Sequence, residues 1–156
     1  MKHFVWTLPV GLLLLASLSG CGHAAGHTTN KNRPLNVTLA SEPATADPNK
    51  STDTNSGSLI FQTMEGLYTY NRNGKITAGV ATKMVKPTNN GKTYTFTLKK
   101  QAKWANGQRV TAQDFVTSLQ RMANPKTKAQ YASVLSAFKN FTAVQTGKVA
   151  PSKLGV

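Results

Sequence analysis

Residues 92–122 read KTYTFTLKKQAKWANGQRVTAQDFVTSLQRM, and they decide the fold class of the chain. Tyr94, Phe96 and Leu98 alternate with Thr93, Thr95 and Thr97, the period of a strand with one buried face. Asn106-Gly107 predicts a tight turn, because both residue types tolerate positive φ. Thr111 then predicts a helix N-cap for residues 111–123, with Asp114 three residues on, where a capping box carries an acid or amide. Phe115, Val116, Leu119 and Met122 follow at helical spacing, and Asn124-Pro125 ends the run. Strand, turn and capped helix follow one another without a gap. The stretch is framework, with no pairing of nucleophile and base in it.

Upstream of it, Asn89-Asn90-Gly91 turns the chain into the strand, and residues 82–85 read as another short strand ended by Pro87. Residues 67–70 and 75–76 predict a hairpin turning at Asn73-Gly74. Thr54 or Ser56 starts a short helix with Leu59, Ile60 and Met64 on its apolar face, and Gly66 is its natural stop. Residues 41–55 are a polar loop with a turn at Asp47-Pro48, and residues 35–40 alternate as a first strand. Downstream, Tyr131, Val134, Leu135 and Phe138 are spaced as an amphipathic helix over 129–138. The chain then reaches Leu154-Gly155-Val156 without a closing element. The order of elements predicts α+β rather than βαβ repetition.

Composition narrows the function classes. Nineteen Lys and Arg stand against five Asp and Glu in 156 residues, a net charge of +14 that favours acidic partners. The three histidines, His3, His23 and His27, all lie near the N-terminus, so no Ser-His arrangement is available beyond them. One cysteine excludes an internal disulfide, and five scattered acids make no carboxylate pair or metal cage. No GxxxxGK[ST] or GxGxxG phosphate loop occurs. The reading is of a non-enzyme with no cofactor and no metal. The expected capped helix carries only Arg121 among its basic residues, so it is no nucleic-acid recognition helix, and no nucleic-acid partner is expected. The dispersed charge reads instead as a basic surface against lipid or cell-wall phosphates. Trp104 and Tyr94 either stack on a ligand or pack the strand–turn–helix unit, and their place beside alternating core positions favours packing.

The N-terminus carries an address. Met1-Lys2-His3 is a basic head, residues 4–16 are a mostly apolar run too short to span a bilayer, and Leu18-Ser19-Gly20-Cys21 follows. That ending resembles a bacterial lipobox, so residues 1–20 are expected to be a lipoprotein signal peptide with Cys21 as the lipidated residue. The resemblance places the protein on the outer face of the cell membrane, held by the lipid on Cys21, since two or more acyl chains anchor stably. Residues 21–34 are small and polar, a flexible tether.

Taken together, several short blocks resemble the oligopeptide-binding lipoproteins of ABC importers, solute-binding protein family 5. They are Ala46-Asp47-Pro48, Glu65-Gly66-Leu67, Gly79-Val80-Ala81, the Tyr94, Phe96, Leu98 strand, Lys103-Trp104 with Gly107, and Thr111-Ala112 with Asp114-Phe115. Ala46 stands where the family usually has Leu, and Lys100-Gln101 where an acid or glycine often follows the strand. The resemblance implies the N-terminal part of a two-lobed type II periplasmic-binding-protein fold, which is incomplete at this length. Residues 35–64 would begin the first lobe, and residues 65–156 would be part of the small domain inserted in it. It also implies extended oligopeptides as ligand and an ABC permease and ATPase as partners. Thr52, Asp53 and Thr54 are the positions it points to for main-chain contacts with the peptide. A second reading makes the chain a membrane-tethered basic envelope or adhesion protein derived from that family.

Overall fold

The computed structural model describes residues 34 and 36–156. The signal peptide, the lipidated Cys21 and all but the last residue of the tether expected for residues 21–34 therefore lie outside the described residues. Helix α1, Thr54–Thr63, starts where Asp53 caps it: the Asp53 carboxylate accepts the Ser56 N–H at 2.8 Å. It ends at Met64, in extended conformation, two residues before the expected glycine. Strands β1, Tyr68–Tyr70, and β2, Ile76–Ala78, pair antiparallel with Tyr68 opposite Ala78. Gly74 makes the turn between them at φ +71°, with Asn71 accepting the N–H groups of Asn73 and Lys75 on its side-chain oxygen.

The strand expected at 93–98 forms only single bridges, Ala81 to Leu98 and Thr88 to Thr93. Between these bridges six residues on one arm face four on the other, so the pairing cannot stay in register. The same mismatch leaves residues 82–85 outside any strand, although Asn89, Asn90 and Gly91 turn at positive φ as expected. Phe96 and Leu98 are half-buried while Tyr94 is exposed, and Phe96 meets Tyr68 edge-on at 5.7 Å. The described residues 36–40 show no strand either, because no neighbouring segment supplies a ladder.

Gly107, at φ +85°, closes the second turn by donating to the Trp104 carbonyl, and Lys103 bridges Arg109 across it. Helix α2, Ala112–Ala123, follows. Its capping carboxylate, Asp114, takes the Thr111 N–H at 2.7 Å and the Thr111 hydroxyl at 3.0 Å. Asn124 ends it, and Pro125–Thr127 continues as a single 3₁₀ turn.

The helix expected over 129–138 is replaced by consecutive 3₁₀ turns, with Ala132–Leu135 the longest of them. Hydrogen bonds there run three residues back: Ala132 to Ala129, Val134 to Tyr131, Ser136 to Ser133, Phe138 to Leu135 and Phe141 to Phe138. A period of three puts Ala132, Leu135, Phe138 and Phe141 on one inward face. Tyr131 and Val134, which a 3.6-residue period would bury, are 55% and 66% exposed. Helix α3, Phe141–Gln145, begins after Asn140 takes a left-handed φ of +67°.

The core gathers here. Ala123, Leu135, Val144 and Leu154 are buried together, with Leu119, Met122, Phe138 and Phe141 packed around them. Leu154, only 4% exposed after the turn Pro151–Lys153, packs into this cluster, a contact that the sequence pattern did not reveal. Gly155 donates to the Lys139 carbonyl, and Gln145 reaches the Ala123 carbonyl at 2.6 Å.

Candidate peptide-facing loop

The loop of residues 41–53 is polar in composition but ordered by its own side chains. Thr45 donates its N–H to the Ser56 hydroxyl and accepts the Asp47 N–H on its own hydroxyl, both at 3.0 Å. Asp47 then makes the expected turn, its carbonyl taking the N–H groups of Lys50 and Ser51 and its carboxylate that of Asn49. Ser56, fully buried, is thus the post around which the loop bends into α1.

Two contacts strap the loop to α2. Arg121 forks onto Asp47, with its two terminal nitrogens 2.8 and 2.5 Å from the two carboxylate oxygens. Buried Asn49 donates to the Ser118 carbonyl at 3.1 Å. The hydrogen bond from Arg121 is the main reason the Asp47 carboxyl titrates at about 2. The Asn49 N–H and the charges of Arg121 and Lys50 act in the same sense, and partial burial opposes them. Sequence reasoning found the Asp47-Pro48 turn but not its partner, which lies 74 residues away. Only the helical phase of Arg121, one turn from Ser118, carried a signal.

Thr52, Asp53 and Thr54 come together as the approach to α1. Thr52 and Thr54 are exposed, and Asp53 is half-buried. One oxygen of Asp53 holds the cap, and hydrogen bonding from Ser56 keeps the carboxyl below its ordinary range. Its other oxygen is buried without a hydrogen-bond partner among the described residues. The backbone N–H groups of Thr52 and Thr54 meet no acceptor among the described residues, whereas that of Asp53 turns to its own carboxylate. Two main-chain donors flanking Asp53 are thereby left without a described protein partner, and that of Thr54, at the first helical position, has no intrahelical one. An open pocket of about 260 Å³, between Asn124, Lys126, Val144, Lys148 and Pro151, involves none of these residues. Trp104 and Tyr94 are half exposed rather than packed, with the Trp104 indole N–H 3.4 Å from Asp114.

The family described as bacterial extracellular solute-binding proteins, family 5 Middle, matches residues 75–152, half of the chain. The chain belongs to that family. The periplasmic murein peptide-binding protein MppA of Escherichia coli is 38% identical over 162 residues, covering all of this chain and 29% of MppA. The oligopeptide-binding protein OppA of Bacillus subtilis is 37% identical over 92% of this chain and 28% of its own length. The chain thus spans less than a third of the curated relatives it matches. Among solved structures, OppA of Haemophilus influenzae in complex with the peptide RPPGFSPFR superposes with a TM-score of 0.70 at 41% identity. That match covers 74% of this chain and 23% of OppA. The substrate-binding domain of an oligopeptide ABC transporter from Bacillus anthracis gives 0.70 at 43% identity, over 77% and 23%. The described residues are therefore an α+β part of the type II periplasmic-binding-protein fold, and the relatives are solute-binding proteins.

Proposed function

We propose that this chain is the leading part of the substrate-binding component of an ABC peptide importer, which captures oligopeptides outside the cytoplasm. The observation that carries this reading is identity of 37–38% to peptide-binding proteins across nearly the whole chain. The N–H groups of Thr52 and Thr54, on either side of Asp53 and without a described protein acceptor, support it, because an extended peptide is matched through its main chain while its side chains vary. In this reading residues 35–64 begin one lobe and residues 65–156 belong to a small domain inserted in it. The ABC permease and ATPase receive the peptide. The lipid on Cys21 holds the receptor at the outer face of the membrane, with residues 21–34 as the tether.

A chimera tests the peptide reading. Residues 36–156 replace the corresponding part of Bacillus subtilis OppA, and tri- to pentapeptide binding is followed by calorimetry. A folded chimera that binds peptides supports the proposal, and a folded chimera that binds none refutes it. The anchor is tested separately with Cys21→Ser in the full chain, which should move the protein from the membrane fraction to the soluble one. Unchanged membrane retention would exclude the lipid.

A further inference from the structure

Between Val80 and Val110 the chain carries Lys83, Lys86, Lys92, Lys99, Lys100, Lys103 and Arg109 and not one acidic residue. All but Lys99 are exposed. The segment forms two successive hairpin-like arms. The first is joined at the Ala81–Leu98 and Thr88–Thr93 bridges, and the second at Lys103–Arg109. That last bridge sets two cations directly opposite each other, a pairing that destabilises strands when nothing negative lies between them. The one carboxylate near it, Asp114, is already engaged by Thr111 and Trp104. Among the described residues the only salt bridge is Arg121–Asp47, so none of the seven cations of the arms is paired with a described carboxylate.

The same arms expose apolar side chains. Met84 is 49% exposed, Tyr94 56% and Trp104 49%. A soluble polyanion would ask only for the cations. Cations interleaved with exposed Met, Tyr and Trp fit a surface that offers anionic headgroups above a hydrocarbon boundary, where amphipathic aromatic rings settle. The first arm is also braced from behind. Tyr68 packs on Phe96 and its hydroxyl accepts the Val85 N–H at 2.9 Å, which leaves Lys83, Met84, Lys86, Lys92 and Tyr94 at the surface.

We infer that residues 82–109 form a docking surface for an anionic lipid bilayer, through phosphate headgroups paired with lysines and the interfacial seating of Met84 and Tyr94. Such a contact is distinct from lipidation at Cys21 and does not depend on the peptide-binding reading.

The test uses the full chain carrying Cys21→Ser, with flotation on vesicles of phosphatidylcholine alone or mixed equally with phosphatidylglycerol. The quantity read is the difference in affinity between the two vesicles, which removes any partition of the apolar N-terminal run. Each lysine near a charged bilayer contributes about a factor of five, so Lys83→Gln/Lys86→Gln/Lys92→Gln should weaken the anionic preference roughly 100-fold. The control Lys128→Gln/Lys139→Gln/Lys153→Gln removes the same charge elsewhere and should retain most of it. Met84→Ser/Tyr94→Ser should weaken vesicle binding while leaving binding to soluble linear polyphosphate unchanged. Circular dichroism confirms that each variant is folded. Equal losses in both lysine triples, or insensitivity to Met84→Ser/Tyr94→Ser, would overturn the bilayer assignment in favour of diffuse charge or a soluble polyanion.

Discussion

Asp47→Asn isolates the link between the loop of residues 41–53 and α2. Asparagine keeps a side-chain oxygen for the Asn49 N–H and suits the turn, so the local bend survives. What is lost is the charge facing Arg121. The Asp47 carboxyl is held at about 2 instead of its ordinary 3.8. Unscreened, that drop corresponds to about 2.4 kcal/mol of folding stability. The Arg121 side chain is 44% exposed and that of Asp47 23%. Solvent and salt reach such a pair, which brings the expected loss to about 1 kcal/mol at neutral pH.

The pH dependence is what tests the cause. A carboxyl whose folded pKa is depressed stabilises the fold above its unfolded pKa, and the contribution fades as pH falls through the folded value. The gap between wild type and Asp47→Asn should therefore be full at pH 6, shrink from about pH 4, and be nearly gone at pH 2. Urea unfolding of both proteins at several pH values, in low salt and in about 1 M salt, measures it. A gap that stays constant from pH 6 to pH 2 would show that the substitution acts through packing, and the ion-pair reasoning would fail. Arg121→Gln should shift the urea midpoint in the same direction, with little further shift when both changes are combined.

Other expectations follow from single contacts. Gly79→Ala would place a Cβ 2.5 Å from the Gly66 carbonyl oxygen, so the β1–β2 hairpin should lose about 1–3 kcal/mol by thermal unfolding. Leu135→Ala should cost about 2–5 kcal/mol while Val134→Ala stays within about 0.5, a contrast that an α-helix over this segment would not produce. In the OppA chimera, Thr54→Pro removes one open N–H at the first helical position, where proline is tolerated and Asp53 is already extended. Peptide affinity should fall about three- to tenfold with no loss of helix stability, and an unchanged affinity would remove Thr54 from the proposed site.

What the sequence disclosed depended on range. The turns at Gly74, Asn89 to Gly91 and Gly107, and the cap at Thr111, rest on the chemistry of two to four neighbouring residues, and they lie where that chemistry places them, whereas the cap of α1 falls to Asp53 and not to the Thr54 or Ser56 expected to start it. The strands at 82–85 and 93–98 failed because a ladder depends on matched arm lengths, which no single segment encodes. The segment at 129–138 failed for a different reason. Leu135 and Phe138 fit both a 3.6-residue and a three-residue period, and only the flanking Ala132 and Phe141 distinguish them. Thr52, Asp53 and Thr54 were candidates through resemblance alone, and that the N–H groups of Thr52 and Thr54 lack a described acceptor became visible only with the neighbouring hydrogen bonds in place.

The framework stretch and the candidate loop are mechanically joined, which alters the role of residues 92–122. Taken alone, that stretch is a self-contained strand, turn and helix with no chemistry. Yet Arg121 and Ser118 lie one helical turn apart on α2, and they hold Asp47 and Asn49, the two residues that shape the turn before Thr52. The Thr111–Asp114 cap fixes where α2 begins, and hence the phase at which Ser118 and Arg121 face the loop. A helix rotated by one residue would turn both partners about 100° away and leave the buried Asn49 without its acceptor, a cost of about 1–3 kcal/mol. Cap, helix phase and loop strap thus form one chain of constraint, so the best-defined helix holds in place the turn that leads into Thr52.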